Sequence, residues 1–483
     1  MSENPSGTTN TQAQIPYQAP ANGWRTFLTV WITQSVSVFG SALTFFSVTV
    51  WLTTVLYPLP EQKPALGIAL SAVSLAFAIP VVFGAPIAGA WADRHDRKRT
   101  MMAMDTFNGL LSLTLAALVF TNALNLPVLV LLITLFSVAG AFHGSAFDTS
   151  YAMIVPERLL PRANGMMQTI GALSGVLAPV VAAVVLSLPA LARQGHLPGA
   201  FGASLARLAN GMPVIVVFDA LTFFGAAATL LFLSIPSPVR TDLRDAAGRV
   251  KKSVWADVKE GALYIWRRRP LLWLLGTFTV ANFIAGPMNV LLPLMIKFNL
   301  AADWARRGFT LETALALITM AASIGGVAGG LFISAWGGLK GRRVYGVLVP
   351  LVAQGVLQAL FGFSPILFFS AGAIALADFM IPVMNAHSQT IWQIQTPREL
   401  QGRVFSVRRL IAQISWPLST AIAGVVAGLF NPGKVIAILG IFLAAFCALQ
   451  LFNPYLMRVE DKESLDRMAA EAAVASAAPD AGK

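Results

Sequence analysis

Residues 89–99 read Gly89-Ala-Trp-Ala-Asp93-Arg94-His95-Asp96-Arg97-Lys98-Arg99 and lie between two long apolar runs. Six of the last seven residues carry a formal charge when His95 is neutral, in a chain that is only 12% charged. Because apolar sequence resumes at once on both sides, the stretch is predicted to be a tight loop between two membrane-spanning helices at a water interface.

The whole chain has the composition of a polytopic membrane protein. Of its 483 residues, 56% are hydrophobic, and runs long enough for a spanning helix of about 20 residues recur throughout. The runs are continuously apolar, whereas a β-barrel would show short segments of alternating polarity. The sequence therefore predicts an all-α membrane protein with twelve transmembrane helices. Their approximate cores are 27–50, 65–91, 101–121, 127–150, 165–189, 212–235, 271–296, 311–335, 344–362, 365–390, 405–430 and 435–456.

The twelve runs divide into two sets of six. The longest polar interruption, residues 236–270, holds nine Lys and Arg residues and marks the boundary. The loop Trp336-Gly-Gly-Leu-Lys340-Gly341-Arg342-Arg343 occupies the place of the 89–99 stretch in the second set, without its acidic members. Two matched halves imply a pseudo-twofold body with a cavity between them. The predicted segments are a disordered tail 1–24, a bundle 25–235, a linker 236–270, a bundle 271–457 and an exposed tail 458–483.

The linker contains a predicted amphipathic helix. Apolar residues recur at helical spacing among Lys and Arg. They are Val254, Trp255, Val258, Ala262, Ile265 and Trp266. Such a helix either lies on an anionic membrane leaflet or packs on the bundle.

The formal charge of +12 is unevenly distributed. If the N-terminus is cytoplasmic, the tails and the even-numbered loops hold 27 of the 34 Lys and Arg residues, counting Arg408 and Arg409 at the start of the eleventh run. This asymmetry predicts a multi-pass protein of the cytoplasmic membrane with both termini in the cytoplasm. It also accounts for the basic balance without a nucleic-acid partner.

Ionisable residues inside apolar runs are candidates for proton coupling, because a charge near the membrane centre costs about 2.5–3.5 kcal/mol unless it is paired or hydrated. The alternative role for each is a buried hydrogen-bonding node between helices. The candidates are Asp148, Asp219, Asp378 and His143. Asp105 follows Arg97 by about two helical turns, and the simplest role for it is an ion pair with the basic loop.

The fifth run combines small residues at a spacing of four with a proline. Small residues let helix backbones approach closely, and proline bends the helix. The motif comprises Ser174, Ala178, Pro179 and Ala182. It predicts a packing seam, and the open question is whether that seam opens and closes during a functional cycle.

The residues of the 89–99 loop resemble the loop motif of the major facilitator superfamily. Gly89, Asp93, Arg94, Arg97 and Lys98 match it, while Asp96 stands where glycine is usual. Other segments resemble the drug:proton antiporter branch, which includes macrolide and siderophore exporters. They are Ser35–Leu43 in the first run, Phe218–Phe224 in the sixth, Trp255–Trp266 before the seventh and Gly402–Ser406 before the eleventh.

This resemblance implies a secondary transporter that exports small hydrophobic or amphiphilic compounds by proton antiport, functional as a monomer and in contact with lipid. It further implies that Asp93, with Arg94, Arg97 and Asp105, latches the loop to the N-terminus of the eleventh helix. In the fifth run only Pro179 matches the antiporter motif strictly. The alternatives are a siderophore or lysophospholipid mover, or proton-coupled nutrient uptake, on the same fold.

An enzyme is disfavoured by the sequence. It contains no P-loop pattern, no His and Cys cluster typical of a metal site and no nucleophile elbow. We therefore expect no cofactor and no metal. The single cysteine, Cys447, can form no intrachain disulfide and is predicted to be packing.

Overall fold

The computed structural model describes residues 20, 22–92, 94–235, 254–465 and 467–468. Twelve helices in these ranges are long and apolar enough to cross a membrane, which confirms the predicted number. Their bounds are α1 Gly23–Leu56, α2 Pro60–Ala92, α3 Arg97–Phe120, α4 Leu126–Tyr151, α5 Arg162–Arg193, α6 Met212–Leu231, α7 Arg269–Asn299, α8 Leu311–Trp336, α9 Arg343–Phe363, α10 Leu367–Gln395, α11 Leu400–Leu429 and α12 Pro432–Gln450.

The helices pack as two groups of six. In the first group α3 and α1 pack on α6, and α2 packs on α4. In the second, α9 packs on α12 and α10, and α8 packs on α10. The groups meet along two seams, where α2 packs on α11 and α5 on α8. The predicted fold class, an all-α protein of two six-helix bundles, is confirmed.

The helices begin and end where local chemistry requires it. Asp96, the residue that departs from the expected loop motif, is the N-cap of α3, and its carboxylate accepts a hydrogen bond from the Arg99 backbone N–H at 2.9 Å. Asn125 and Asn431 cap α4 and α12 in the same way. Inside α7 the backbone is interrupted at Gly286 and Pro287. Because Asp96 caps α3, the helix begins at Arg97 and the charged residues before it form the loop.

The linker helix spans Val254–Trp266 and packs on the first part of α11. The Tyr264 hydroxyl donates to the Gln395 carbonyl at 2.6 Å, and Arg403 forms an ion pair of 2.7 Å with Glu260. The side chain of Trp266 remains 72% exposed. One helix can therefore pack on the bundle through Tyr264 and Glu260 and still present Trp266 to lipid. Residues 236–253, the first part of the predicted linker, lie outside the described residues.

The start of the C-terminal tail differs from the expected exposed segment. Val459 and Leu465 are fully buried in the apolar core of the second bundle. Glu460 forms an ion pair with Arg343 at the start of α9, at 3.1 Å. The apolar residues that recur after Asn453 therefore pack on the second bundle, and residues 454–465 belong to it.

An even number of crossings places Gly23 and Gln450 at the same end of the bundle, called here the terminal face; the other end is the opposite face. The hydrogen bonds between described residues that join the two halves all lie toward the opposite face. Lys297 Nζ donates to the carbonyls of Thr53 and Tyr57, each at 2.6 Å. Lys63 Nζ donates to the Phe430 carbonyl, also at 2.6 Å. These contacts close the opposite face.

Close backbone packing continues this closure along α2 and α11. A Cβ on Gly67 would lie 2.8 Å from the Gly424 carbonyl oxygen, so the two helices touch through their backbones. One turn deeper, the Ser71 hydroxyl donates to the Thr420 carbonyl at 2.6 Å. The seam leaves no room for a side chain at Gly67 and holds the two halves together toward the opposite face.

The first helix of each half ends in a widened turn at the opposite face. Leu52–Leu56 closes α1 with a π-helical turn, and Met295–Asn299 closes α7 in the same way. Lys297 lies in the second of these turns, and its two acceptors lie beside the first. Close by, Asp303 accepts hydrogen bonds from Arg307, from the Leu367 backbone N–H and from Arg306, which hold the pKa of this carboxyl well below its usual value.

Candidate functional site

A central cavity of about 1060 Å³ lies between the two halves. Side chains from both halves form its wall, and most are apolar or aromatic. The aromatic members are Phe45, Phe46, Phe77, Phe136, Phe147 and Phe223. A cavity of this size and lining accommodates a molecule of several hundred daltons, mainly through apolar contact.

Asp105 lies in the wall of this cavity and is buried, with 1% of its surface exposed. Its Oδ2 accepts a hydrogen bond from Gln34 Nε2 at 2.9 Å, and its Oδ1 lies 3.2 Å from His143 Nε2. The His143 contact has the distance of an ion pair, although its angle does not make a hydrogen bond. These contacts replace the predicted ion pair between Asp105 and the basic loop. Asp105 therefore pairs with a predicted coupling residue, His143, inside the cavity.

Asp219 is the centre of a second polar cluster in the first half. Three hydroxyls, from Ser41, Thr44 and Ser112, donate to its two oxygens, each at 3.1 Å. Gly40 makes room for this cluster, since a Cβ there would lie 2.9 Å from Asp219 Oδ1. Asp219 lines the cavity and joins α1, α3 and α6 as a hydrogen-bonding node, and a part in proton coupling stays a prediction.

The remaining predicted coupling residues are less enclosed. Asp378 lines the cavity from α10 and is half-buried. Asp148 is exposed and lies outside the cavity lining, about one helical turn beyond His143 toward the terminal face. Within the described ranges, neither carboxylate has a hydrogen-bonding partner. Both are therefore free to meet water, a proton or a ligand.

Two buried amide side chains supply further polar groups to the cavity. Asn108 and Gln358 are each 5% exposed, and Asn108 Oδ1 and Gln358 Nε2 have no hydrogen-bonding partner among the described residues. An unsatisfied buried polar atom costs about 1–3 kcal/mol, so these atoms are suited to bind a ligand. Within those same ranges, no three His, Cys, Asp or Glu side chains come together in a way that could hold a metal ion.

The small-residue motif of α5 lies at the boundary of the two halves. Ser174, Ala178 and Ala182 are buried, and Ser174, Ala178 and Pro179 line the cavity. Next to them, a Cβ on Gly175 would lie 3.0 Å from Ser323 Oγ on α8. The motif thus lies where α5 packs on α8 across the two halves, and whether this contact opens during a functional cycle stays a prediction.

The charged loop is bound within the first half in this conformation. Arg97 is buried beneath α4, where its guanidinium donates to the Thr149 carbonyl at 3.3 Å. Lys98 Nζ donates to the Leu231 carbonyl at the C-terminus of α6, at 3.1 Å, where a cation is favoured. Gly89 is near Ser145 of α4, and Arg94 is exposed. Asp93, the acidic member of the predicted latch, lies outside the described residues.

Twelve spanning helices in two bundles, with a cavity between them that is closed at one face, define a polytopic membrane transporter. The sequence profile of the Major Facilitator Superfamily matches residues 30–420. The chain belongs to this superfamily.

Named relatives are similar over most of the chain. Macrolide efflux protein A of Streptococcus pyogenes is 25% identical over 413 residues, which cover 84% of this chain and 90% of that protein. The multidrug efflux pump Tap of Mycolicibacterium fortuitum is 26% identical over 388 residues, covering 78% and 85%.

Solved structures share the fold. A bacterial homologue of the human lysosomal transporter Spinster, in an inward-facing and unoccupied conformation, superposes with a TM-score of 0.59, at 14% identity, over 95% of this chain and 98% of that one. An inward-facing bacterial homologue of the iron transporter ferroportin gives a TM-score of 0.55, at 16% identity, over 90% and 99%.

Proposed function

We propose that this protein exports small hydrophobic or amphiphilic compounds across the cytoplasmic membrane in exchange for protons. The observation that carries the proposal is the large apolar and aromatic cavity with carboxylates in its wall. Apolar walls give affinity without strict specificity, and a carboxylate can alternate between a proton and other partners. The names of the efflux relatives support the same direction of transport.

Proton coupling would centre on the pair formed by Asp105 and His143. A proton that binds either group changes the charge of the pair and therefore the contact that joins α3 to α4. Asp148 lies between this pair and the terminal face, where it could relay protons. Asp219 and Asp378 remain further candidates. One inward proton contributes about 2.3 kcal/mol per 100 mV.

The terminal face would lie in the cytoplasm, with both chain termini on that side. The excess of Lys and Arg in the tails and even-numbered loops supports this orientation. The structure then corresponds to an inward-facing state that loads substrate from the cytoplasm or the inner leaflet. A single chain contains both halves of the cavity, which supports function as a monomer.

Reconstitution tests the proposal directly. Purified protein in proteoliposomes would be assayed against a panel of dyes, macrolides and siderophores, with and without a proton gradient. Export predicts substrate movement that depends on the gradient, together with proton release when substrate is added. A transport rate that is the same with and without the proton gradient would contradict antiport. In intact cells, deletion should raise dye or macrolide accumulation, whereas an uptake protein would give lower accumulation.

The predicted latch is tested at Asp93. Asp93→Asn removes the charge that would be attracted to the N-terminus of α11 when the terminal face closes. We expect near-normal expression and a large loss of transport, measured as dye efflux. The matched control is Glu61→Gln, an exposed carboxylate on the opposite face. Full efflux activity in Asp93→Asn would remove the latch from the mechanism.

A further inference from the structure

A second, smaller cavity of about 350 Å³ adjoins the central cavity on the side of the second half. The two share four wall residues, so they are direct neighbours. The shared residues are Ala281, Ala285, Gln354 and Ile381. We call the smaller space the arginine vestibule.

Polar and cationic side chains make up half of its lining residues, a larger share than in the central cavity. Arg408 and Arg409 of α11 supply two positive charges, and the lining contains no carboxylate. The neutral hydrogen-bonding members are Asn282, Gln354, Asn385, Gln389 and Gln413. Arg408 lies eight residues into α11, about 12 Å from Leu400 along the helix axis. Arg408 is partly buried, whereas Arg409 is exposed.

Neutral contacts hold Arg408 in place. Its Nη1 donates to Gln389 Oε1 at 2.7 Å, and its guanidinium lies 5.2 Å from the ring centre of Trp392. Neither Arg408 nor Arg409 forms an ion pair with any described acidic residue. The guanidinium has five N–H donors, and the contacts to Gln389 and to Ser388 use only part of them. A fixed guanidinium without a counter-ion is arranged to bind an anion from outside the chain.

We propose that the arginine vestibule binds the anionic head group of an amphiphilic substrate, whose apolar part occupies the central cavity. The proposal rests on the transport function above and specifies its substrate class: compounds with a carboxylate, phosphate or sulfonate at one end and an apolar body. Charge complementarity at Arg408 and Arg409 selects the head group, and the shared wall places the apolar cavity directly beside it.

Equilibrium binding separates this proposal from the transport mechanism, because it needs neither a gradient nor turnover. Purified protein in zwitterionic phosphatidylcholine nanodiscs would be titrated with two radiolabelled lysolipids of equal chain length, lysophosphatidylglycerol and lysophosphatidylcholine. We expect the anionic lysolipid to bind roughly tenfold or more tightly. Arg408→Gln and Arg409→Gln should each reduce that preference. Lys340→Gln, which removes an exposed cation outside the vestibule, should retain it.

Arg409→Gln removes one positive charge and leaves the Arg408 contact with Gln389 intact, so a change in binding cannot come from loss of that structural contact. Equal affinity for the two lysolipids, or a preference that survives in both arginine variants, would overturn the proposal. Inorganic phosphate alone is the third probe. If it binds as tightly as the anionic lysolipid, the vestibule binds free anions and the amphiphile proposal fails. Binding without proton-linked transport would overturn antiport and leave the vestibule in place.

Discussion

Replacing Lys297 by methionine is expected to open the opposite face. Its ammonium group joins the halves through two carbonyl contacts of 2.6 Å, to Thr53 and Tyr57. Charge-assisted hydrogen bonds contribute about 1.5–3 kcal/mol each, so even a net loss of about 2 kcal/mol changes the closed-to-open ratio roughly 30-fold. The measurement is labelling of Phe45→Cys in a Cys447→Ala background, in intact cells, with a membrane-impermeant thiol reagent. Labelling should be much faster in Lys297→Met.

Two other lysines on this face provide the comparison. Lys434 is exposed and makes no side-chain hydrogen bond with any described residue, so Lys434→Met should leave labelling unchanged. Lys63 reaches one carbonyl rather than two, and Lys63→Met should therefore have a smaller effect. Unchanged labelling in Lys297→Met would show that the Lys63 contact and the backbone packing between α2 and α11 keep this face closed without Lys297.

Asp105→Asn is expected to abolish substrate-induced proton release from proteoliposomes. The change keeps the size of the side chain but removes the charge opposite His143 and the group that can exchange a proton. Exchange of substrate between two compartments, without a gradient, should continue, because it needs the cavity but no net proton movement. Measured together, the two assays separate loss of coupling from loss of folding.

The same pair of assays ranks the other carboxylates. Asp148→Asn should reduce proton release if Asp148 relays protons to the pair. Asp219→Asn should weaken both activities, since three hydroxyls that join α1, α3 and α6 donate to this carboxylate. Glu61→Gln serves as the neutralised control outside the cavity. Normal proton release in Asp105→Asn would move the coupling site to Asp148, Asp219 or Asp378.

The fold could be predicted from the sequence because each apolar run is long enough to be a helix on its own. Residues 89–99 also marked a true helix boundary, with Asp96 as the cap of α3. Tertiary packing was harder to foresee. Val459 and Leu465 look like members of a soluble tail, yet the second bundle buries them, because apolar spacing alone does not say which surface a short helix meets.

The site was only partly predictable for a similar reason. His143, Asp219 and Asp378 stood out as ionisable residues inside apolar runs, and all three line the cavity. For Asp105 the short sequence distance to Arg97 predicts an ion pair with the basic loop, whereas its partners, Gln34 and His143, come from other helices. Gln34 lies inside the first apolar run and Lys297 directly after the seventh, and their contacts depend on how helices meet.

The π-helical turns at the ends of α1 and α7 also indicate how the two halves are related in evolution. Both halves carry the same five-residue irregularity at the end of their first helix, as expected if one ancestral six-helix unit was duplicated. The third residue of the turn is Thr54 in one copy and Lys297 in the other. The copies have therefore diverged in chemistry while keeping their backbone, and the lysine binds the turn of its sister copy.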